Sequence, residues 1–555
     1  MKKLFLLIFV FVLMLALVSC GETPTVPTEA TEPTETEATT TAAPQEENPP
    51  VNPDEIFVFT LNSDRKSYSI EARNKSVSGE IVIPAEHDGL PVTTVAFHAF
   101  ESCKNLTGVT IPSGITSIGG SAFRWCDNLE KVTISYGVKS IGQYAFCDCK
   151  NLKEIKLPDS VGSIGDYIFQ NCTNLSVAEL GDGVASISKN AFYNCSKLKS
   201  IHISARVTHV YSNAFYGCMG LDKITVGEGN TKYHSESNCL IETSSKTLII
   251  GSNNCVIPSD GSVTSINEGA FYGCANLKSI VIPDCVTSIG DKAFYGCTSL
   301  SSIKIGNGIT SIGRWIFFGC NELKSLTLPE SVTYIGDYAF WDLDNIESIT
   351  IPSGVEHIGI WAFYGCKNLK EITIPEKVTY LGNSAFYGCE KLKSISIPKG
   401  VTYIGNSTFY GCSGLESITV DINNPKYYSA GNCLIEKENR ILVTGCKNSV
   451  IPAGSVGSIS DEAFKGCTEL KSIVIPEGVY EIVDRAFADC VSLTEITIPK
   501  SVDTIGYRVF DNCVNLKDIY FNGTIEQWNR ISKGYKWNGS GIIYTIHCSN
   551  GDINV

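Results

Sequence analysis

Cysteine brings more chemistry to this chain than any other residue type, with 23 in 555 residues. In an exported protein such a number ordinarily marks a disulfide framework. The placement here points elsewhere. Fifteen of the cysteines stand three residues after a phenylalanine, beginning with Phe100–Cys103, Phe123–Cys126 and Phe146–Cys149. After Phe340 the same place holds Leu343, so the position accepts an apolar side chain. A thiol there behaves as a small buried hydrophobe. Stacked neighbours in such a series would lie within bridging distance, which leaves an oxidised ladder as the alternative. Zinc has no support, since no Cys-x-x-Cys or Cys/His spacing occurs and Cys147-Asp148-Cys149 stands alone. Seven histidines (His87, His98, His202, His209, His234, His357, His547) are scattered without a Ser/His/Asp order, a His-Glu-x-x-His or a phosphate loop. His202 and Glu179 could meet on an outward strand face, as a solvated pair. These residues imply no catalytic centre, no cofactor and no metal.

What positions the cysteines is a repeat. Phenylalanine recurs every 23 residues from Phe100 to Phe215, from Phe271 to Phe409 and from Phe464 to Phe510. A full unit reads Asn368-Leu369-Lys370-Glu371-Ile372-Thr373-Ile374-Pro375, then Val378, Leu381-Gly382 and Ala385-Phe386-Tyr387-Gly388-Cys389. Leu-x-x-Ile-x-Ile alternates, as a short strand with one buried face does, and the proline that follows has no N–H with which to continue pairing. A period of this length, with this motif inside it, builds coils that cannot bury their apolar faces singly and must stack.

The pattern L-x-x-I-x-I-P-x-x-V-x-x-I-G-x-x-A-F-x-x-C resembles the BspA-like class of leucine-rich repeats, a family of bacterial and protist surface proteins, over most of the chain from about Ile56 onward. The resemblance implies a curved right-handed solenoid with one short parallel strand per turn and 3-10 or irregular structure on the convex side. It also implies surface display and adhesion to host or bacterial proteins.

Residues 1–19 combine Met1-Lys2-Lys3 with an apolar run from Leu4 to Val18, a secretory signal too short to span a membrane. Leu17-Val18-Ser19-Cys20 looks like a lipobox, which makes Cys20 the lipid-modified first residue of a membrane-anchored, outward-facing protein. Residues 20–55 follow as a disordered Thr/Pro/Glu tether without Lys or Arg. The tether carries most of the formal net charge of −14, so the folded part has no basic stripe and nucleic acid is not a partner. We expect an N-terminal cap over 56–98, the solenoid over 99–521 and a C-terminal cap over 522–555 closed by Phe521, Trp528 and Trp537.

Two long rungs interrupt the period, at 227–257 and 421–451. Both carry the same residues: Asn230, Tyr233, Ser235, Cys239-Leu240-Ile241 in one and Asn424, Tyr427, Ser429, Cys433-Leu434-Ile435 in the other. They read as hairpins protruding from the stack, with Tyr233, Tyr427 and Tyr428 presented for binding; the alternative is that they only set local curvature. A deletion of Gly227–Asn254 or Asp421–Asn448 would then weaken binding and leave the fold nearly intact. The rival surface is the aromatic residue after each phenylalanine, including Tyr364, Tyr387 and Tyr410, which could meet a protein or stack on a glycan. Function therefore reads as non-catalytic binding at the cell surface, with a surface enzyme, a glycan binder or an architectural spacer as alternatives.

Overall fold

In the coil that starts at Ser279, the strand Ser279–Ile282 turns Ile280 and Ile282 inward and leaves Ser279 and Val281 exposed. Pro283 ends the strand and accepts a turn bond from Val286 N at 3.1 Å. A second strand of two residues follows, Ser288–Ile289, with Ile289 buried. Lys292 (φ 57°) and Gly296 (φ 73°) then adopt left-handed backbone, which reverses the chain around Phe294. Ala293, Phe294, Cys297 and Leu300 complete the coil, all fully inside. The structure is a computed structural model describing residues 52–539 and 543–554. The expected signal peptide, Cys20 and the tether to residue 51 lie outside those residues.

Coils stack with a 23-residue offset, as in the pairings Ser265↔Ser288 and Ser279↔Ser302. Two parallel ladders result, one of three- to four-residue strands and one of Ser-Ile-type dipeptides. Only the first is legible in sequence, because two residues have no period to read. Helix is confined to Pro53–Ile56, Ile525–Arg530 and a 3-10 turn at Ser212–Phe215 among the described residues. Pro53–Ile56, capped by the Asn52 side chain, shows that the end of the expected tether already belongs to the fold.

Inside, the phenylalanine rings stack with centroids between 5.0 and 5.9 Å. Beside them the thiols within a core donate to the carbonyl of the phenylalanine one coil back: Cys126 Sγ to Phe100 O at 3.1 Å, Cys297 Sγ to Phe271 O at 3.2 Å; the first coil after each wall donates instead to a wall glycine, Cys274 Sγ to Gly251 O and Cys467 Sγ to Gly445 O. The phenylalanine carbonyl already accepts from the N–H three residues on (Cys103 N to Phe100 O, 3.0 Å), so the thiol uses its second lone pair. Leucine can stand at the site because the first bond remains.

The long rungs are not protrusions. Tyr233–Glu236, Cys239–Glu242 and Thr247–Gly251 form an antiparallel meander whose last strand pairs in parallel with Ser265–Ile266. Tyr427–Ala430, Cys433–Glu436 and Ile441–Thr444 repeat the arrangement. Each meander is a wall between cores. Leu240 packs on the N-terminal side, while Cys239 and Ile241 pack on the C-terminal side. Leu434 and the pair Cys433 and Ile435 divide in the same way at the second wall. Burial on both faces explains why Cys-Leu-Ile is continuously apolar. On the phenylalanine side Gly251 N of the wall bonds Ala270 O at 2.8 Å, and only at the turn beyond do the coils meet directly, Gly217 N to Tyr272 O at 3.3 Å.

At the N-terminal end Phe57–Leu61 and Tyr68–Ala72 form an antiparallel hairpin on the first dipeptide ladder. At the C-terminal end Thr545–Cys548 and Gly551–Asn554 close the long ladder. There Phe521, Trp528, Trp537 and Tyr544 meet edge to face over the open core.

Candidate binding surface

Tyr233 and Tyr427 are 3% and 4% exposed, which corrects their expected presentation. Their work is internal. The Tyr233 hydroxyl accepts from Val210 N at 3.0 Å, and the Tyr427 hydroxyl takes the N–H of Ile404 likewise. Asn230 Nδ2 donates to Ser204 O and Val207 O at 2.9 and 3.0 Å, while its Oδ1 accepts from Lys232 N and Tyr233 N at 2.9 and 2.8 Å. Asn424 makes the same four bonds, to Pro398 O, Val401 O, Lys426 N and Tyr427 N. Ser235 and Ser429 accept from Val226 N and Val420 N, both at 3.1 Å. Where a wall interrupts a ladder, side chains thus replace the missing strand for these backbone groups. The likeness of the two long rungs is explained by this stapling. Tyr428 is half-buried and donates to Ser455 O at 3.2 Å.

Tyr364, Tyr387 and Tyr410 are half-buried in one column of rings. The column crosses the first wall unbroken, from Tyr216 to Tyr272 (4.4 Å) and Tyr295 (4.6 Å), and continues through Phe318, Trp341, Tyr364, Tyr387 and Tyr410. Tyr364 and Tyr387 lie 4.5 Å apart at 12°. Burial, the Tyr387 charge and Asp342 push the Tyr364 hydroxyl up to about 12, so it is a proton donor at neutral pH. Tyr410 donates to Asp489 Oδ2 at 3.1 Å with Lys465 4.3 Å over its ring. Where the rings stack this closely, as from Tyr216 to Phe318 and from Tyr364 to Tyr387, they cover one another's faces and show solvent their edges, so those stretches offer hydroxyls and ring edges rather than a sugar platform.

Two further aromatic columns escaped the sequence reading. Tyr334, His357, Tyr380 and Tyr403 stand in place of serine on the dipeptide ladder and stack at 4.6, 4.5 and 4.8 Å. Trp315, Tyr338 and Trp361, two residues before their phenylalanines, have left-handed φ of 57°, 58° and 55°. Their signal in the sequence is an aromatic six or two residues before the repeat phenylalanine in consecutive coils. Trp341 joins this group at 4.9 Å from Trp315 and 5.0 Å from Tyr338, its Nε1 donating to Asp342 Oδ2 at 2.6 Å.

The titratable groups are structural wherever they are engaged. Burial raises the thiol of Cys149 far above its ordinary range and pushes that of Cys147 up to about 12, which makes them inert. The disulfide found among the described residues, Cys239–Cys255, joins the first wall to the irregular segment that follows its last strand, outside the phenylalanine-linked series. His202 bonds Thr225 Oγ1 at 2.9 Å, and Glu179 pairs instead with Lys156 at 2.8 Å. Two open grooves lie over the long ladder, one of about 340 Å³ at Thr133, Lys156 and Val177 and one of about 590 Å³ at Ile257, Val281 and Lys304; no histidine lines either. Among the described residues no group of three or more His, Cys, Asp or Glu is placed to hold a metal ion.

The family profile described as BspA type leucine rich repeat region (6 copies) matches residues 80–177, 139–260, 251–366, 333–439 and 443–533. Among solved structures, a leucine-rich cell surface protein from Faecalibacterium prausnitzii is 25% identical, over 88% of this chain and 99% of its own, with a TM-score of 0.38. A leucine-rich repeat protein from Bacteroides ovatus is 26% identical, over 86% and 98%, with a TM-score of 0.40. The pneumococcal vaccine antigen PcpA is 18% identical, over 89% and 97%, with a TM-score of 0.45. No curated protein matches the chain.

Proposed function

The chain belongs to the BspA-type leucine-rich repeat family, and from that premise we propose that it is a non-catalytic binding protein of the cell surface, an adhesin-like scaffold whose partner is a protein on a host or neighbouring cell. The observation that carries the reading is the half-buried aromatic surface over consecutive coils from Trp315 to Tyr410. Rings held on a stacked backbone lose little freedom when a partner docks, and Trp and Tyr dominate interface energetics. The engaged polar groups of the long rungs argue against a hydrolytic site there, because Asn230, Tyr233 and Ser235 each satisfy backbone atoms. Export and anchoring rest on the signal segment and Cys20.

The test has two arms. Cells bearing the protein are assayed for attachment to immobilised matrix proteins before and after protease shaving, and in parallel with Cys20→Ala. Attachment should fall with shaving, and the Cys20→Ala protein should appear in the medium with its repeats folded. Unchanged attachment after complete removal of the protein rejects the adhesin reading, and a membrane-retained Cys20→Ala protein rejects the anchor.

A further inference from the structure

We propose that Trp361, with Asn383, Ser384 and Asn406 of the next two coils, forms a subsite for an uncharged hexopyranose of an oligosaccharide. This goes beyond the protein-binding reading and does not depend on it. The first observation is the attitude of one ring. At the position two before the repeat phenylalanine, Tyr144 and Tyr167 stack at 4.7 Å and 7°, and Trp315 and Tyr338 at 4.1 Å and 8°. Trp361 breaks the series: it stands at 64° to both Tyr338 (4.7 Å) and Trp341 (5.6 Å). A ring in the pile shows solvent an edge, whereas a half-buried ring turned this far shows part of a face. The following coil has Ser384 at the equivalent position, and among the described residues no aromatic ring lies against Trp361 from that side. The face is not consumed by the column.

The second observation is the polar company. Trp361 N bonds Asn383 O at 2.9 Å, and Ser384 N bonds Asn406 O at 2.9 Å, so the three turns run side by side in register. Asn383 Oδ1 accepts from Asn406 N at 3.1 Å. That leaves Asn383 Nδ2, Ser384 Oγ, the Asn406 amide and Trp361 Nε1 without hydrogen-bond partners among the described residues. They comprise donors and acceptors without charge. Elsewhere the same turn positions hold Lys292, Arg314, Asp337, Asp461, Glu462, Asp484 and Arg485. The charge on the N-terminal side of Trp361 is already neutralised, with Asp337 bound to Arg314 at 3.4 Å and accepting from Ile360 N at 2.9 Å. An apolar ring face bordered by neutral amides and a hydroxyl matches a pyranose, which has an apolar C–H face and a rim of hydroxyls. A charged ligand would find no counter-charge.

The test is isothermal titration calorimetry of the whole protein against cellohexaose, maltohexaose, mannohexaose and chitohexaose. At least one should bind, with a blue shift of tryptophan emission. Trp361→Ala should weaken that binding by at least about tenfold. Ser384→Tyr, which continues the column as Tyr167 does after Tyr144 and covers the Trp361 face, should abolish it while the near-ultraviolet circular dichroism of the rest persists. Absence of binding to all four sugars overturns the proposal, as does binding that survives both variants. If Trp361→Ala instead lowers attachment to an immobilised protein while no sugar binds, the cluster is a protein contact and the glycan assignment is rejected.

Discussion

Asn424 is 1% exposed and uses both ends of its amide on four backbone atoms across the second wall. Pro398 O keeps its bond from Val401 N, but alanine there leaves Val401 O and the N–H groups of Lys426 and Tyr427 without these partners, at about 1–3 kcal/mol for each buried group left unpaired. We expect Asn424→Ala to cost at least about 3 kcal/mol in denaturant unfolding; a loss within the range of an ordinary surface substitution would show the staple to be dispensable. Cys433 offers a gain at the same scale. It corresponds to Cys239, whose partner Cys255 has Ser449 as its counterpart in the second wall, while Cys446 occupies the place of Ser252. Under oxidising conditions Ser449→Cys should therefore bond Cys433, and the free-thiol count should fall by one rather than rise by one. Closing a loop of 16 residues stabilises by roughly 3 kcal/mol, less what is lost with the Ser449 bonds to Cys446 N and Asn432 O. A count that rises by one refutes the correspondence.

The elements differ in how openly the sequence announces them. The long strand is legible because Leu-x-x-Ile-x-Ile states its period, and the coil because Phe and Cys return at a fixed step. The dipeptide strand is not, since Ser-Ile has no pattern to distinguish it from a turn. The long rungs were misassigned for a physical reason: Cys-Leu-Ile flanked by polar residues fits an exposed hairpin with one packed face and also a wall with two. What decides between them is the pair of polar residues Asn424 and Tyr427, which are buried against backbone and cannot be read as such without the neighbouring coil. It follows that deletion of Gly227–Asn254 or Asp421–Asn448 removes core from both sides, and should lower the unfolding midpoint sharply instead of leaving the fold intact. The C-terminal strand pair carries a pH dependence. His547 bonds Asp518 Oδ1 at 2.9 Å and Asp552 Oδ1 at 3.0 Å, and the Asp518 bond chiefly holds its imidazole above the usual histidine range. A group raised in the folded state contributes stability that is complete below its unfolded value near 6.5 and is lost as pH rises through the folded value. Amide exchange in 543–554, corrected for intrinsic rates, should therefore speed up from about pH 6 to about pH 8, and His547→Gln should remove that dependence. Protection that is flat with pH in the unaltered protein would exclude the linkage.

At the scale of the whole solenoid, the walls divide the apolar interior into three cores, bounded by Phe57 and Ile250, by Cys239 and Cys446, and by Cys433 and Ile546. In a stack where each coil touches only its neighbours, stability is a sum of local terms and interface terms. The walls are the places where that sum changes character. Within a core, coils share a continuous ring ladder and paired strands. At a wall the Phe215-to-Phe271 and Phe409-to-Phe464 steps of the ladder are replaced by meander strands, joined in part through side-chain bonds such as Val210 N to Tyr233. Coupling across a wall should be weaker than coupling within a core, so the three segments should respond separately to damage. Phe363→Ala removes a fully buried ring from the middle core at about 3–5 kcal/mol. The tryptophans report by position: Trp125 in the first segment, Trp315, Trp341 and Trp361 in the second, Trp528 and Trp537 in the third. With hydrogen exchange resolved by segment in a guanidinium series, Phe363→Ala should shift the midpoint of the middle segment and leave that of the third near its original value. If all three segments move together by the same amount, the walls transmit as well as any coil and the molecule unfolds as one cooperative unit. If only the middle moves, the two long rungs are boundaries that uncouple the segments, which accounts on stability grounds for two interruptions built from the same residues.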